Sequence, residues 1–265
     1  VEKIVYSDSW HKYFSEIGLE SFDDFFNYSS GRKVNENNKR SVITFETETG
    51  PQKKQFFLKR FFNPHLKDMF FTWRNLGRLC SQGAYEWANA NFLLNNGIKT
   101  YKPVCRGELT KFGIERKSFI VTEKLQGQSM ESFVAENWSR LKQSQKEEII
   151  ILLGRFIRRI HNTAVIVPDL YLWHIFIQEK NPEPPEFAVI DLHRMKLNVT
   201  NKNERIKDIG RLNYSMLDKY FDEKLRLLLI ESYLGKDWSG SIDLFAAKVK
   251  QQSNAVLRKR KQKLY

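Results

Sequence analysis

The chain has 265 residues, 41% of them apolar, and a formal net charge of +13 at pH 7. It is long enough for one large or two small domains with a sizeable core, and no run approaches the roughly 20 apolar residues of a membrane-spanning helix. Two cysteines (Cys80 and Cys105), five scattered histidines without zinc-ligand spacing and no basic-then-apolar leader argue against a disulfide framework, a zinc cluster and a secretory signal; the expectation is a reduced, cytosolic protein.

Residues 8–27 set Trp10, Phe14, Ile17, Phe22, Phe25 and Phe26 among acids at helical spacing, which predicts one or two short amphipathic helices. Residues 31–40 are polar and read as turns. Residues 41–45 and 55–59 read as strands joined by a Gly50-Pro51 turn. Residues 65–95 read as mainly helical, closing at Asn96-Gly97. Residues 104–108 and 117–123 read as a second strand pair. The pattern turns helical from about residue 129, and Ile150, Leu153, Ile157 and Ile160 line one face of 147–161. The apolar runs at 175–177 and 187–190 read as buried strands, followed by helices. The order predicts a strand-rich part with one main helix, residues 1–125, interrupted by an aromatic and basic insertion at 61–82. A helical part, residues 126–265, follows, and the composition changes at Leu125-Gln126-Gly127.

Asp191 ends the run Phe187-Ala188-Val189-Ile190, and Asp169 opens Asp169-Leu170-Tyr171-Leu172-Trp173-His174. Two strands, each beside an Asp and separated by a Pro-rich turn at 181–185, resemble the phosphoryl-transfer centre of a kinase. There one Asp orients the acceptor hydroxyl and the other holds Mg²⁺. Lys59 follows an apolar strand, where a fixed cation would neutralise ATP phosphates; a lysine there is otherwise an ordinary surface residue. Glu86, on a predicted helix, would hold Lys59, or be a solvated helix acid. His174 sits where protein kinases carry a metal-binding Asn, and imidazole is a less usual Mg²⁺ ligand. It is read either as a metal ligand or as a phosphate, acceptor or structural contact. Asp208 opens a helical stretch where kinases use a buried Asp to hold the catalytic loop; its alternative is a first-turn acid favoured by the helix dipole. Together these residues predict an α+β, protein-kinase-like bilobal fold, with nucleotide between an N-lobe and a C-lobe.

The chain resembles the lipopolysaccharide core heptose kinases, the WaaP-like members of the lipopolysaccharide kinase group. The resemblance runs from about Arg40 to Met216. It is carried by Phe57-Leu58-Lys59, Gly83-Ala84-Tyr85-Glu86-Trp87, Ser118-Phe119-Ile120-Val121-Thr122-Glu123, the Asp169–His174 run, Val189-Ile190-Asp191-Leu192-His193-Arg194 and Lys207-Asp208. His174 with Asp191-Leu192-His193-Arg194 favours heptose over Kdo as the acceptor. The resemblance implies transfer of the ATP γ-phosphate to a heptose hydroxyl of the lipid A core, at the cytoplasmic face of the inner membrane. It implies that Lys59 and Glu86 anchor phosphate, Asp169 is the catalytic Asp, Asp191 holds Mg²⁺, and the backbone from Glu123 to Leu125 meets adenine. His193 and Arg194 are candidate acceptor or phosphate contacts. The net charge then suits an anionic glycolipid at an anionic surface, or a small acidic protein partner. The 61–82 insertion, with Phe70, Phe71, Trp73, Lys67, Arg74 and Arg78, is a candidate membrane contact or a packed helix. Arg258-Lys259-Arg260-Lys261 is a second such contact, or a solvated tail.

The sequence departs from the kinase pattern in two places. Val167-Pro168-Asp169 stands where kinases have His-Arg-Asp. The phosphate loop has one glycine, Gly31, with Arg32, Lys33, Lys39 and Arg40 as substitute cations. These departures motivate a second reading, an inactive kinase-fold binding module. A Kdo or protein acceptor is a third; no activation segment ending in an Ala-Pro-Glu-like motif follows Asp191, which argues against a protein kinase. Nucleic-acid binding, suggested by charge and aromatic content, predicts steep salt dependence and is not expected.

Overall fold

The Phe-rich segments near the start of the chain pack on one face of an antiparallel sheet. The computed structural model describes residues 1–8, 10–48, 53–62, 64, 66–180 and 183–265. Its strands there are β1 (Glu2–Tyr6), β2 (Arg32–Asn37), β3 (Arg40–Glu48), β4 (Lys53–Phe62), β5 (Pro103–Lys111) and β6 (Ile114–Glu123), paired in the order β1-β5-β6-β4-β3-β2. Helices α1 (Trp10–Glu16) and α2 (Phe22–Asn27) sit where helical spacing predicts them. Ser21 and Asp24 start α2 with a capping box, the Ser21 hydroxyl accepting the Asp24 N–H and the Asp24 carboxylate accepting the Ser21 N–H. Phe14, Phe22, Phe25 and Phe26 from these helices join Phe45, Phe56, Leu58 and Phe119 of the sheet in one buried cluster. Each such phenylalanine contributes roughly 1.5–3 kcal/mol by leaving water.

Two strands lack a legible pattern. β1 precedes the first predicted element and pairs with β5, Glu2 opposite Leu109 through Tyr6 opposite Cys105. β2 occupies residues read as turns. All its side chains are exposed, so no alternation marks it, and a bulge between Lys33 and Asn35 breaks its pairing with β3. Such a short, charged edge discourages further strand pairing. The Asn37 side chain accepts the N–H groups of Lys39 and Arg40 and turns the chain without glycine. The Gly50-Pro51 turn lies outside the described residues.

Residues read as one helical stretch form two helices, α3 (Leu66–Leu76) and α4 (Gln82–Asn95). Gly77 takes a left-handed φ of +69° at the end of α3. Met69 and Thr72 of α3 are buried, while Phe70 is 65% and Trp73 55% exposed. The segment is thus a packed helix on one side and an exposed aromatic face on the other.

The chain divides into two units, Val1–Asn95 with Thr100–Leu125, and Asn96–Lys99 with Gln126–Tyr265. Residues 96–99 therefore depart from a simple cut at 125. The Lys99 carbonyl accepts the Val189 N–H, Lys99 pairs with Glu186, and the Gly97 carbonyl takes the Arg159 guanidinium. The second unit holds a small sheet of β7 (Gln128–Ser129), β8 (Ile175–Gln178) and β9 (Glu186–Val189). Around it are α5 (Met130–Asn137), α6 (Gln143–Asn162), α7 (Lys202–Ser215), α8 (Glu223–Leu234) and α9 (Ile242–Leu257). The apolar face read in 147–161 is buried, with Ile150 and Leu153 fully so.

Candidate active site

Lys59 lies inside β4, not at a strand end. Its neighbour Leu58 faces the aromatic cluster, so the pleat turns Lys59 to the other face of the sheet. There Nζ stands 2.8 and 3.1 Å from the carboxylate oxygens of Glu86 on α4. The lysine side chain is 13% and the glutamate 4% exposed. The Tyr101 hydroxyl donates to Glu86 Oε1 at 2.7 Å, a contact no sequence pattern marks. Buried charges persist when paired and hydrogen-bonded, and this pair is both. Arg40 opens β3 opposite Phe61, with its side chain partly exposed. At the end of β6, the Glu123 N–H donates to the Lys102 carbonyl and the Lys124 N–H to the Gln55 carbonyl, each at 2.9 Å. Those two donors are engaged; Leu125 closes the first unit.

In the second unit the loop carrying Asp169 is fixed by hydrogen bonds to the side chains of Asp208, Ser215 and His174. Asp208 of α7, fully buried, accepts the Val167 N–H at 2.6 Å and pairs with Arg211 at 3.0 Å. Its carboxylate also lies 3.5 Å from His161 Nε2, whose other nitrogen meets the Tyr233 hydroxyl at 2.9 Å. Ser215 Oγ accepts the Leu172 N–H at 2.9 Å, and the Asp169 carbonyl lies 2.7 Å from His174 Nδ1. A carbonyl only accepts, so His174 Nδ1 carries the proton and leaves Nε2 facing Asp191 Oδ2 at 3.7 Å. Asp208 is therefore no ordinary first-turn acid: it clasps the backbone two residues before Asp169.

Asp191 follows β9 in a left-handed conformation, φ 61° and ψ 61°. For a residue other than glycine this costs on the order of 1 kcal/mol, and such outliers cluster at functional sites. Its Oδ1 lies 2.7 Å from His193 Nδ1. Arg194 reaches Asp169 Oδ1 at 3.4 Å. Ligand atoms of Asp169, Asp191 and His193 all lie within 4.8 Å of one another. His174 is outside that group, although its Nε2 faces Asp191; the short turn at Leu192–Arg194 brings His193, read from the sequence as an acceptor or phosphate contact, back to Asp191. The two carboxylates fit Mg²⁺, a hard cation bound through one or two carboxylates while keeping waters, and both are partly exposed.

The segment after α9 is only partly a solvated tail. Arg260 lies over the Tyr171 ring and Lys263 over the Trp173 ring, each at 5.5 Å, and those two rings stack at 4.5 Å. The Tyr214 hydroxyl donates to the Lys261 carbonyl at 2.6 Å, and Lys263 pairs with Glu131 at 2.7 Å. Arg258, Lys259 and Lys261 remain exposed. Cys105 is a buried core residue, while Cys80 is half-buried. A cavity of about 730 Å³ lies along α7, α8 and α9, lined by none of the residues named above for phosphoryl transfer.

A six-stranded sheet with a buried Lys–Glu pair, and a helical unit with an Asp-bearing loop and a second Asp just after a strand, define a protein-kinase-like fold. A solved structure of WaaP in complex with acyl carrier protein shares it, with a TM-score of 0.69 over 97% of each chain and 20% identity. The model of the lipopolysaccharide kinase (Kdo/WaaP) family matches residues 24–233, and the chain belongs to that family. It is 28% identical over 158 residues to the lipopolysaccharide core heptose(I) kinase WaaP of Pseudomonas aeruginosa, a match covering 56% of this chain and 58% of that protein. It is 25% identical over 196 residues to the enzyme of the same name from Escherichia coli K12, covering 71% and 72%. The match thus spans less than two thirds of the Pseudomonas protein.

Proposed function

We propose that the protein transfers the γ-phosphate of ATP to a heptose hydroxyl of the lipopolysaccharide inner core. The observation that carries this reading is the Asp169–Asp191–His193 cluster in a member of the lipopolysaccharide kinase family. The relatives' names, heptose(I) kinase, and the run from Asp191 to Arg194 support heptose over Kdo. Lys59, held by Glu86, neutralises the α- and β-phosphates. Asp169 orients the acceptor hydroxyl, whose oxygen bonds to the γ-phosphorus as the bond to ADP breaks; the hydroxyl proton passes to Asp169. Positioning outweighs proton removal because the transition state is loose. Asp191, with Asp169, would hold Mg²⁺, which supplies charge neutralisation at the phosphates. His193 holds the Asp191 carboxylate, Arg194 steadies Asp169, and Asp208 keeps the loop in place. Adenine meets the backbone from Glu123 to Leu125, and Arg40 is a phosphate contact.

The protein works at the cytoplasmic face of the inner membrane, and the exposed Phe70–Trp73–Arg74 face of α3 is its membrane contact. Aromatic and basic residues on one helix face suit an anionic bilayer surface. Among the described residues no helix is long and apolar enough to cross a membrane. The structural neighbour was solved with acyl carrier protein, and a net charge of +13 suits a small acidic protein partner of that kind.

The test is transfer from labelled ATP with Mg²⁺ to lipopolysaccharide lacking core phosphate, with Asp191→Ala alongside. Transfer lost in the variant supports the reading. ATP binding without transfer to heptose, but with transfer to Kdo, moves the acceptor. No ATP binding leaves a kinase-fold binding module, the reading that Val167-Pro168 and the glycine-free β2–β3 turn favour.

A further inference from the structure

An α-helix begins with four N–H groups that have no partner in the helix, and most helices answer them with their own N-cap. In α4 the first two are answered by the neighbouring sheet. The Gln82 N–H donates to Glu115 Oε2 at 3.1 Å, and the Gly83 N–H donates to Ser118 Oγ at 3.0 Å. The Ser118 hydroxyl in turn donates to Glu115 Oε1 at 2.5 Å. The third and fourth go to the helix's own flank, the Ala84 N–H to Ser81 Oγ at 3.2 Å and the Tyr85 N–H to the Ser81 carbonyl at 2.8 Å. Glu115 is 2% and Ser118 0% exposed. Gly83 allows the contact: a Cβ there would lie 2.6 Å from the Phe119 carbonyl oxygen. The start of the helix therefore rests on the β6 backbone.

The same strand holds the partner lysine. β4 pairs with β6, Lys59 opposite Ile120, two residues beyond Ser118. Glu86 lies one turn along α4 from Gln82. One strand thus sets both the residue that carries the cation and the helix that carries its carboxylate. We propose that Glu115, acting through Ser118 and the first turn of α4, is a positioning residue that holds Glu86 against Lys59. The inference rests on the reading of that pair as the phosphate anchor, and adds a residue that no sequence motif marks.

Protonation of Glu115 would couple to this geometry, since a carboxylate accepts from Gln82 and Ser118 together while a protonated carboxyl has one good acceptor. Burial is the main cause that raises its pKa, to about 7, with Glu108 and Asp68 adding to it. Glu115 borders a cavity of about 170 Å³ shared with Lys3, Arg78, Cys80, Arg106 and Glu108, the charged and titratable groups from the adjoining elements, together with Asp68 of α3.

The experiment compares wild type, Glu115→Gln and Ser118→Ala for MgATP dissociation constant, KM for ATP and kcat from pH 5.5 to 8.5. Reactivity of Lys59 toward an amine-acylating reagent, read by mass spectrometry without nucleotide, runs alongside. The expected result is about a tenfold rise in KM for ATP in each variant, a smaller change in kcat, and faster acylation of Lys59. The acid limb of kcat/KM near pH 7 flattens in Glu115→Gln. Wild-type ATP affinity, pH profile and Lys59 reactivity in a folded Glu115→Gln protein would overturn the proposal. If that variant does not fold, the same unchanged readings in Ser118→Ala overturn it. If wild type binds no ATP yet the variants expose Lys59, the anchor stands and the kinase reading fails.

Discussion

The Lys59–Glu86 pair and the Asp169–Asp191–His193 cluster hold charge in opposite ways. The pair is nearly dry, 13% and 4% exposed, and has a third partner in Tyr101. The side chains of the cluster are 13% to 20% exposed, and its central residue sits in a left-handed backbone conformation. In the proposed function the pair anchors phosphate, a role that gains from orientation before the ligand arrives, and burial supplies that. In the same proposal the cluster holds Mg²⁺, which needs oxygen lone pairs open to water and phosphate; its carboxylates are reachable, and the order lies in the backbone beneath them.

The contrast breaks most strongly at Asp191. Asp191→Asn is expected to lower kcat by about 10³-fold, roughly 4 kcal/mol, while leaving the melting temperature nearly unchanged, because Asn tolerates left-handed backbone. Steady-state kinetics beside a thermal melt checks it; a folded variant with wild-type turnover removes Asp191 from the chemistry. Asp208 is the reverse case. Asp208→Ala leaves the Arg211 charge and the Val167 N–H without their buried acceptor, and about 3–5 kcal/mol of stability is expected to go. Urea unfolding measures that, and a loss below about 1 kcal/mol would mean the loop is held some other way.

Glu115 sharpens the same contrast through pH. An unfolded glutamate loses its proton near its ordinary value of 4.5, while the folded one keeps it to about 7. Between those values the folded state binds more protons, so this contribution is full below about 4.5 and is lost as pH rises through about 7. The span is roughly 3 kcal/mol. Denaturant unfolding at pH 5 and pH 8 is expected to show the drop in wild type and not in Glu115→Gln; equal drops in both would assign it to other groups. The smallest effect falls on the segment after α9. Lys263→Ala is expected to cost about 0.5–1 kcal/mol through the Trp173 ring and the Glu131 pair, with kcat reduced less than about threefold. A larger fall in kcat would give the segment a direct part in the reaction.

Residue order alone carried the separation of a strand-rich part from a helical one, short helical structure within 8–27, and the strands bearing Lys59 and preceding Asp191. Those signals are local: apolar periodicity, and an Asp beside a buried strand. It also marked Glu86 and Asp208, but only as members of a set, since each alone reads as a solvated helix acid. Only the tertiary structure decided that Lys59 points away from the aromatic cluster, that Tyr101 and Glu115 bond to α4, and that His193 lies against the two carboxylates. β2 was unreadable because an exposed edge strand has no alternation. Arg260 could be read as part of a solvated tail because the Tyr171 ring it covers lies almost ninety residues earlier. Contacts between residues far apart in the chain leave no periodic trace in it, and those contacts supply the partners that turn common residue types into a site.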